Sequence, residues 1–240
     1  MFSHRNHREY WGELKNKYAG NPGWVIGNGP SLRMDDLEKI KDQISIASNK
    51  IYLAFPDTAW RPTLVTCVDG ILWPKIKAEA FARFEKIHLP HYLYDIADDL
   101  TGKVEYWVSK PPAEGPALQP MFSSNAVKGI HGGCTVTFEN LQIAAHLGLN
   151  PIYIIGCDHY YAGEEDSSGR VSVLAPAESN HFHPEYRSKG EIVSPASIDK
   201  METAYTHAKV WAENNGISIL NATRGGHLNV FKRCHFDDVV

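Results

Sequence analysis

The 240-residue chain is short of paired cysteines, of net positive charge and of long apolar runs. Its four cysteines, Cys67, Cys134, Cys157 and Cys234, stand far apart with no C-x-x-C pair. That spacing argues against a disulfide framework or a zinc site, and fits reduced thiols in a cytoplasmic protein. Lysine and arginine total 24 against 28 acids, a formal charge of −4, which speaks against a nucleic-acid partner. No stretch approaches the ~20 apolar residues of a membrane span, and the opening MFSHRNHREYW lacks the apolar core of a secretion signal. The expected location is the cytoplasm. A peripheral contact at the inner face of the membrane stays open, because Trp11, Tyr18 and several basic residues share the first helical stretch. Internal repeats and low-complexity tracts are absent too, so the chain reads as one domain, 1–240, long enough to bury a full core.

Short β-rich runs alternate with helical patterns. Strands are expected at 23–27, 44–48, 63–68, 86–89, 152–156 and 217–221, and helices at 33–41, 72–85, 135–148 and 197–215. The alternation predicts an α/β fold, a Rossmann-like parallel sheet with helices on both faces. Two stretches lie outside the pattern. Residues 108–128 carry four prolines and read as an excursion over the surface. Residues 161–195, with glycine and proline at intervals, read as an irregular lid.

Open α/β sheets bind ligands beyond the carboxyl ends of their strands, which selects the residues to inspect. The first is GWVIGNGPSL (23–32), a buried strand followed by Gly27, Asn28, Gly29, Pro30 and Ser31. Glycines permit a tight turn, and Pro30 suits the first position of a helix, so free N–H groups at a helix start could receive a phosphate. The lysine of a P-loop is missing, and Leu32 stands where a dinucleotide fingerprint has its third glycine. A second glycine turn, Gly132-Gly133, precedes a helix with Thr135 as a possible cap. Glycines there would equally serve close helix packing.

The run IYIIGCDHYYAG (152–163) places Asp158, His159, Tyr160 and Tyr161 after a buried strand. Tyrosine hydroxyls can steady a leaving phosphate, and an aspartate can hold a ribose, a base edge or a metal. In ESNHFHPEY (178–186), His181 and His183 lie inside the lid. Imidazole titrates near neutrality and could act as general base toward a hydroxyl. No third ligand follows at a zinc spacing.

VIGNGPSL, SNKIYL, the glycine pair of GIHGGCTVTFENLQIAAHLGL, IYIIGCDHYY and NATRGGHLNVF resemble the MptE-like domain family. That family includes archaeal 6-hydroxymethylpterin diphosphokinases and the central domain of motility accessory factors. The same order of segments is similar to the bacterial lipooligosaccharide sialyltransferases of glycosyltransferase family 42. The sialyltransferase likeness implies a CMP-sugar donor lying against Asn28 and Asn49, with Asp69 near the donor sugar. It implies that the turn at Gly132-Gly133 replaces a threonine-serine pair and that Tyr160, less clearly Tyr161, bonds the leaving phosphate. It also implies a catalytic histidine in the lid, His183 in preference to His181, and no cofactor. The diphosphokinase likeness implies instead Mg²⁺ held by Asp69 and Asp158, bridging ATP phosphates.

The expectation is therefore a glycosyltransferase of surface-glycan assembly (lipopolysaccharide or capsule), taking a nucleotide-sugar donor, a CMP-activated acidic sugar above all, and a glycan or glycolipid acceptor. The alternatives are an ATP- and Mg²⁺-dependent 6-hydroxymethylpterin pyrophosphokinase and a non-catalytic nucleotide-binding module.

Overall fold

A computed structural model describes residues 4–99, 101–161, 164–165, 171–172, 180–188, 191–193 and 196–240. Much of the expected lid at 161–195 thus lies outside the described residues.

The fold is α/β, built on an eight-stranded sheet whose every pairing is parallel. Its strands are β1 (Gly23–Ile26), β2 (Ile44–Ser48), β3 (Leu64–Thr66), β4 (Ile87–Pro90), β5 (Val104–Trp107), β8 (Ile152–Ile155), β12 (Ile219–Asn221) and β13 (Lys232–Arg233). Two further strands, β6 (Ser109–Lys110) and β7 (Ile130–His131), pair separately. Within 161–195, β9 (Glu164–Glu165), β10 (Val171–Ser172) and β11 (Ile192–Val193) form a small antiparallel sheet. The helices are α1 (His4–Leu14), α2 (Met34–Lys39), α3 (Trp73–Arg83), α4 (Tyr94–Ala97), α5 (Val136–His146) and α6 (Ile198–Asn214).

All six expected strands and all four expected helices form. β1 is buried at every position because it sits centrally with helices on both sides. Side chains alternate across a strand, so Trp24 and Ile26 join the core with Leu37 of α2 and Ile76 of α3. Val25 joins the opposite core with Leu141 of α5 and Ala208 of α6.

The strand order β13-β12-β8-β1-β2-β3-β4-β5 places the site. From β1 the chain runs outward through β2 to β5, then returns through α5 to lay β8 on the other flank of β1. The loop leaving β1 leads to α2 on one face of the sheet, α6 after β8 packs on the other, and a crevice opens beside the two loops at the carboxyl edge.

Three expectations need correction. The stretch 108–128 does not merely cross the surface: Phe122 is buried, stacked on Trp211 at 4.6 Å, and Ser123 N–H donates to Gln142 Oε1. Trp11 offers no side chain to a membrane, since it is fully buried and its indole N–H donates to Tyr106 O at 2.7 Å. Pro30 does not open a helix. It lies in a turn, and α2 begins only at Met34. Among the described residues no helix is long and apolar enough to cross a membrane.

Candidate functional site

The crevice is a cleft of about 710 Å³. Most residues singled out from the sequence line it: Gly27, Asn28, Gly29, Asn49, Asp69, Gly132, Gly133, Thr135, Asp158, Tyr160, Tyr161 and His181. Ser31 and His183 do not.

The first glycine turn is built by contact with the loop after β8. Gly29 N–H donates to Gly156 O at 2.8 Å, and a Cβ at Gly29 would lie 1.9 Å from Asp158 Oδ2. Asp158 Oδ2 in turn accepts from Ser31 Oγ at 2.8 Å and from Ser31 N–H at 3.3 Å. Gly226 and His227 close the loop from behind, with His227 N–H on Asp158 O at 2.7 Å. Arg224 of the same segment is bound to Asp36 and Asp237, so it is anchored away from any ligand. The N–H groups of Gly29 and Ser31 are thus engaged by protein oxygens. With a six-residue α2 bearing Asp35 and Asp36 in its first turn, this loop is no phosphate cradle.

What the loop presents is oxygen. Asn28 Nδ2 donates to Ser48 O and Oγ, which turns the amide so that Oδ1 is buried without a partner. Asn49, in the left-handed region at φ 58°, likewise keeps a buried Oδ1 unpaired. Two unpaired acceptors suit a ligand's hydroxyl or amino groups, as on a ribose or a base edge.

The second glycine turn leads into a helix. Thr135 caps α5, its Oγ1 accepting from Thr137 N–H at 3.3 Å. Gly133 is a packing glycine, because a Cβ there would meet Phe138 and Ala204 within 2.7 Å. Gly132 is open, with nothing nearer than 3.8 Å. The start of this eleven-residue helix therefore faces the cleft and favours negative charge.

His181 enters the cleft from the described segment 180–188, stacked on Tyr186 with ring centroids 3.9 Å apart. Burial, helped by the positive charge of Arg187, pushes its pKa down to about 4, so the ring is neutral at pH 7. The segment is docked on the sheet edge: Phe182 N–H donates to Asn28 O, and Lys50 Nζ to Tyr186 O. His183 instead turns its Nδ1 to Glu185 N–H, outside the cleft lining. Tyr160 is 55% exposed at the rim, and Tyr161 Oη lies 3.9 Å from Met201 Sδ.

Asp69 and Asp158 do not share an ion. β3 and β8 are separated by β1 and β2, three strand spacings or ~14 Å of sheet. Asp69 Oδ1 already accepts from the N–H groups of Ile71 and Leu72. Among the described residues no group of three or more His, Cys, Asp or Glu side chains could hold a metal. The pair therefore does not fit a jointly held Mg²⁺.

Two residues missed from the sequence complete the site. Tyr186 is buried and floors His181. Glu139 lines the cleft one turn into α5, with burial raising its pKa to about 8. A charged residue inside the apolar run TVTFENLQIAAHL, directly after a glycine turn, was a legible signal.

No curated protein and no solved structure matches the chain. Residues 3–164 match the family described as 6-hydroxymethylpterin diphosphokinase MptE-like. That match spans β1 to β8 and both glycine turns, and it points to a transferase-like role. Since it covers about two-thirds of the 240 residues, the chain belongs to the MptE-like family.

Proposed function

We propose that the protein is a nucleotide-dependent transferase whose donor is a nucleotide-activated sugar, a CMP-activated acidic sugar in the first instance. The observation that carries this reading is the polarity of the cleft. Among the described lining residues the only lysine or arginine is Arg187, and it is paired with Glu191 at 3.0 Å. Such a lining suits one phosphate held by a helix start better than the charge of a triphosphate. The ribose or base would bond to Asn28 and Asn49, and the phosphate would sit at Gly132–Thr135. Tyr160 and Tyr161 would stand by the leaving oxygen, so that donors meet charge as it develops.

His181 takes the role of general base toward a glycan or glycolipid hydroxyl in this reading, in place of His183. It is neutral at pH 7 and faces the cleft. A second reading, ATP-dependent pyrophosphoryl transfer to a hydroxymethylpterin, is favoured by the family description. It would need metal held by the substrate phosphates and by Asp69 or Asp158 singly.

A melting panel of CMP, CDP, UDP, GDP and ATP, each with Mg²⁺ and with EDTA, separates the two, because a ligand of the native state raises Tm by mass action. CMP stabilisation that survives EDTA supports sugar transfer. ATP stabilisation strictly dependent on Mg²⁺, with CMP inert, supports the pyrophosphokinase and overturns the first reading.

A further inference from the structure

The polar side chains of α5 lie almost wholly inside the protein, and two of them, Asn140 and Glu139, keep a buried polar atom without a partner; Asn140 does not line the cleft, and Glu139 does. Gln142 holds both main-chain groups of His131 and the N–H of Ser123. His146 bonds Trp11 O and Ala126 N–H, and Asn140 takes the hydroxyl of Thr66. Thr137 Oγ1 lies 3.6 Å from Cys157 Sγ. Glu139 is only 7% exposed, yet it does not point into this network. It lines the cleft, one carboxyl oxygen taking the N–H of Gly133, while Oε2 is buried with no partner at all.

A buried carboxyl with an empty oxygen is costly if ionised and incomplete if protonated. Its neighbours do not repair it. Tyr92, which follows β4 and lines the same cleft, spends its hydroxyl on Val68 O. Asp69 after β3 is occupied by Ile71 and Leu72, and His131 of β7 bonds Pro111 O. Cys134 lies in the turn itself, and Asp158, His181 and Arg187 line the cleft beyond. None of these bonds Oε2.

We infer that Glu139 is a substrate-contacting residue: an uncharged carboxylic acid whose Oε2–H donates to an anionic oxygen of the ligand's phosphate seated at Gly132–Thr135. Three observations converge on that carboxyl. The helix start attracts an anion, the open face of Gly132 leaves room for it with Glu139 Oε1 the nearest atom to a Cβ there at 3.8 Å, and Oε2 of the same carboxyl is left without a partner by the protein. Burial keeps the proton on the acid at neutral pH, so an anion can approach without repulsion. The bound anion then holds the proton more firmly still. Phosphate binding and protonation of Glu139 are therefore linked.

The inference rests on the nucleotide reading for its ligand but is tested separately from it. Affinities of CMP, cytidine and inorganic pyrophosphate are measured by calorimetry from pH 6.5 to 9.5. For wild type, CMP and pyrophosphate bind at least tenfold more weakly at pH 9.5 than at pH 7, while cytidine shows no such dependence. Glu139→Gln, whose amide can still donate, keeps wild-type affinity at pH 7 within about threefold and flattens the profile. Glu139→Met, similar in size but without a donor, binds CMP about tenfold more weakly at pH 7. Melting curves show that each variant is folded.

If nucleotides bind with the same pH profile in wild type and Glu139→Gln, the Glu139 inference falls and the functional reading stands. If no nucleotide binds but pyrophosphate does, with the Glu139-dependent profile, the reading falls and the inference stands. If nothing binds, both fall.

Discussion

Replacing Glu139 by glutamine should make the protein more stable at neutral pH, and the size of the gain follows from one carboxyl group. Burial raises its pKa from an ordinary 4.5 to about 8. Below pH 4.5 the group is protonated in both native and unfolded chains and has no effect on stability. Between 4.5 and about 8 the unfolded chain ionises while the native one keeps its proton. Native stability therefore falls by ~1.36 kcal/mol per pH unit across that window and levels off above it. At pH 7 the accumulated loss is roughly 3 kcal/mol by the same arithmetic. Glutamine has the same shape, can still accept from Gly133 N–H, and has no proton to lose. For a chain of this size ~1 kcal/mol moves Tm by about 2–4 °C, so Glu139→Gln should melt roughly 6–12 °C above wild type at pH 7. The assay is the difference in Tm between the two proteins from pH 4.5 to 9, without ligand. A difference that is small at pH 4.5 and grows to pH 8 supports the reasoning. Equal differences at pH 5 and pH 8 would refute it, because they would mean that Glu139 titrates normally in the fold.

Further expectations follow from the same contacts. Gly29→Ala drives a methyl into Asp158 and should lower stability by ~1–3 kcal/mol in urea titration, even though no ligand is involved; wild-type stability would show that the two loops do not interlock. Asn28→Ala should weaken CMP binding by roughly 1–2 kcal/mol in calorimetry, whereas unchanged affinity would remove the residue from the ligand's path. His181→Ala should lower turnover by the ~10²–10⁴-fold typical of a lost general base with little effect on nucleotide affinity, and His183→Ala should change little; a larger loss from His183 would restore the assignment that sequence alone favours. Because His181 has its pKa depressed from 6.5 to about 4, its buried neutral form contributes stability above pH 6.5 that is lost as pH falls toward 4. His181→Phe should flatten that part of the acid limb in melts between pH 4 and 7.

The strands and helices of the sheet were legible because their apolar runs are bounded by glycine, proline and polar residues. β1 and β8 are buried on both faces, so their sequences WVI and IYII carry no competing pattern. β5 was illegible since VEYW is short and half polar, and β13 is two exposed basic residues paired only through β12. The location of the cleft was legible from the strand-end rule, which gathered residues from β1, β2, β3, β8 and α5 before their order in the sheet was known. That order decided what local reading could not. Asp69 and Asp158 look like partners until β1 and β2 are placed between them. The glycine turn at 27–29 reads as a phosphate loop until Asp158 is found bonded to Ser31. His181 and His183 are indistinguishable in ESNHFHPEY, and only the stacking on Tyr186 turns one of them inward. Glu139 escaped notice for a different reason: a glutamate near a helix start looks like ordinary capping, which hid the signal of its place inside an apolar run, and its burial shows that it is no ordinary cap.

The central claim is that a nucleotide binds in the cleft beyond the carboxyl ends of β1 and β8 with its phosphate at the start of α5. Gly132→Phe tests it most directly. The position is free of close neighbours and its backbone is not left-handed, so a phenyl ring can occupy the cleft without disturbing the core. Calorimetric titration of CMP and ATP is compared for wild type and Gly132→Phe, with melting curves alongside. The account predicts that the variant melts within about 2 °C of wild type, a shift of ~1 kcal/mol or less, and loses nucleotide binding. A folded Gly132→Phe that binds nucleotide as tightly as wild type would place the site elsewhere and contradict the account.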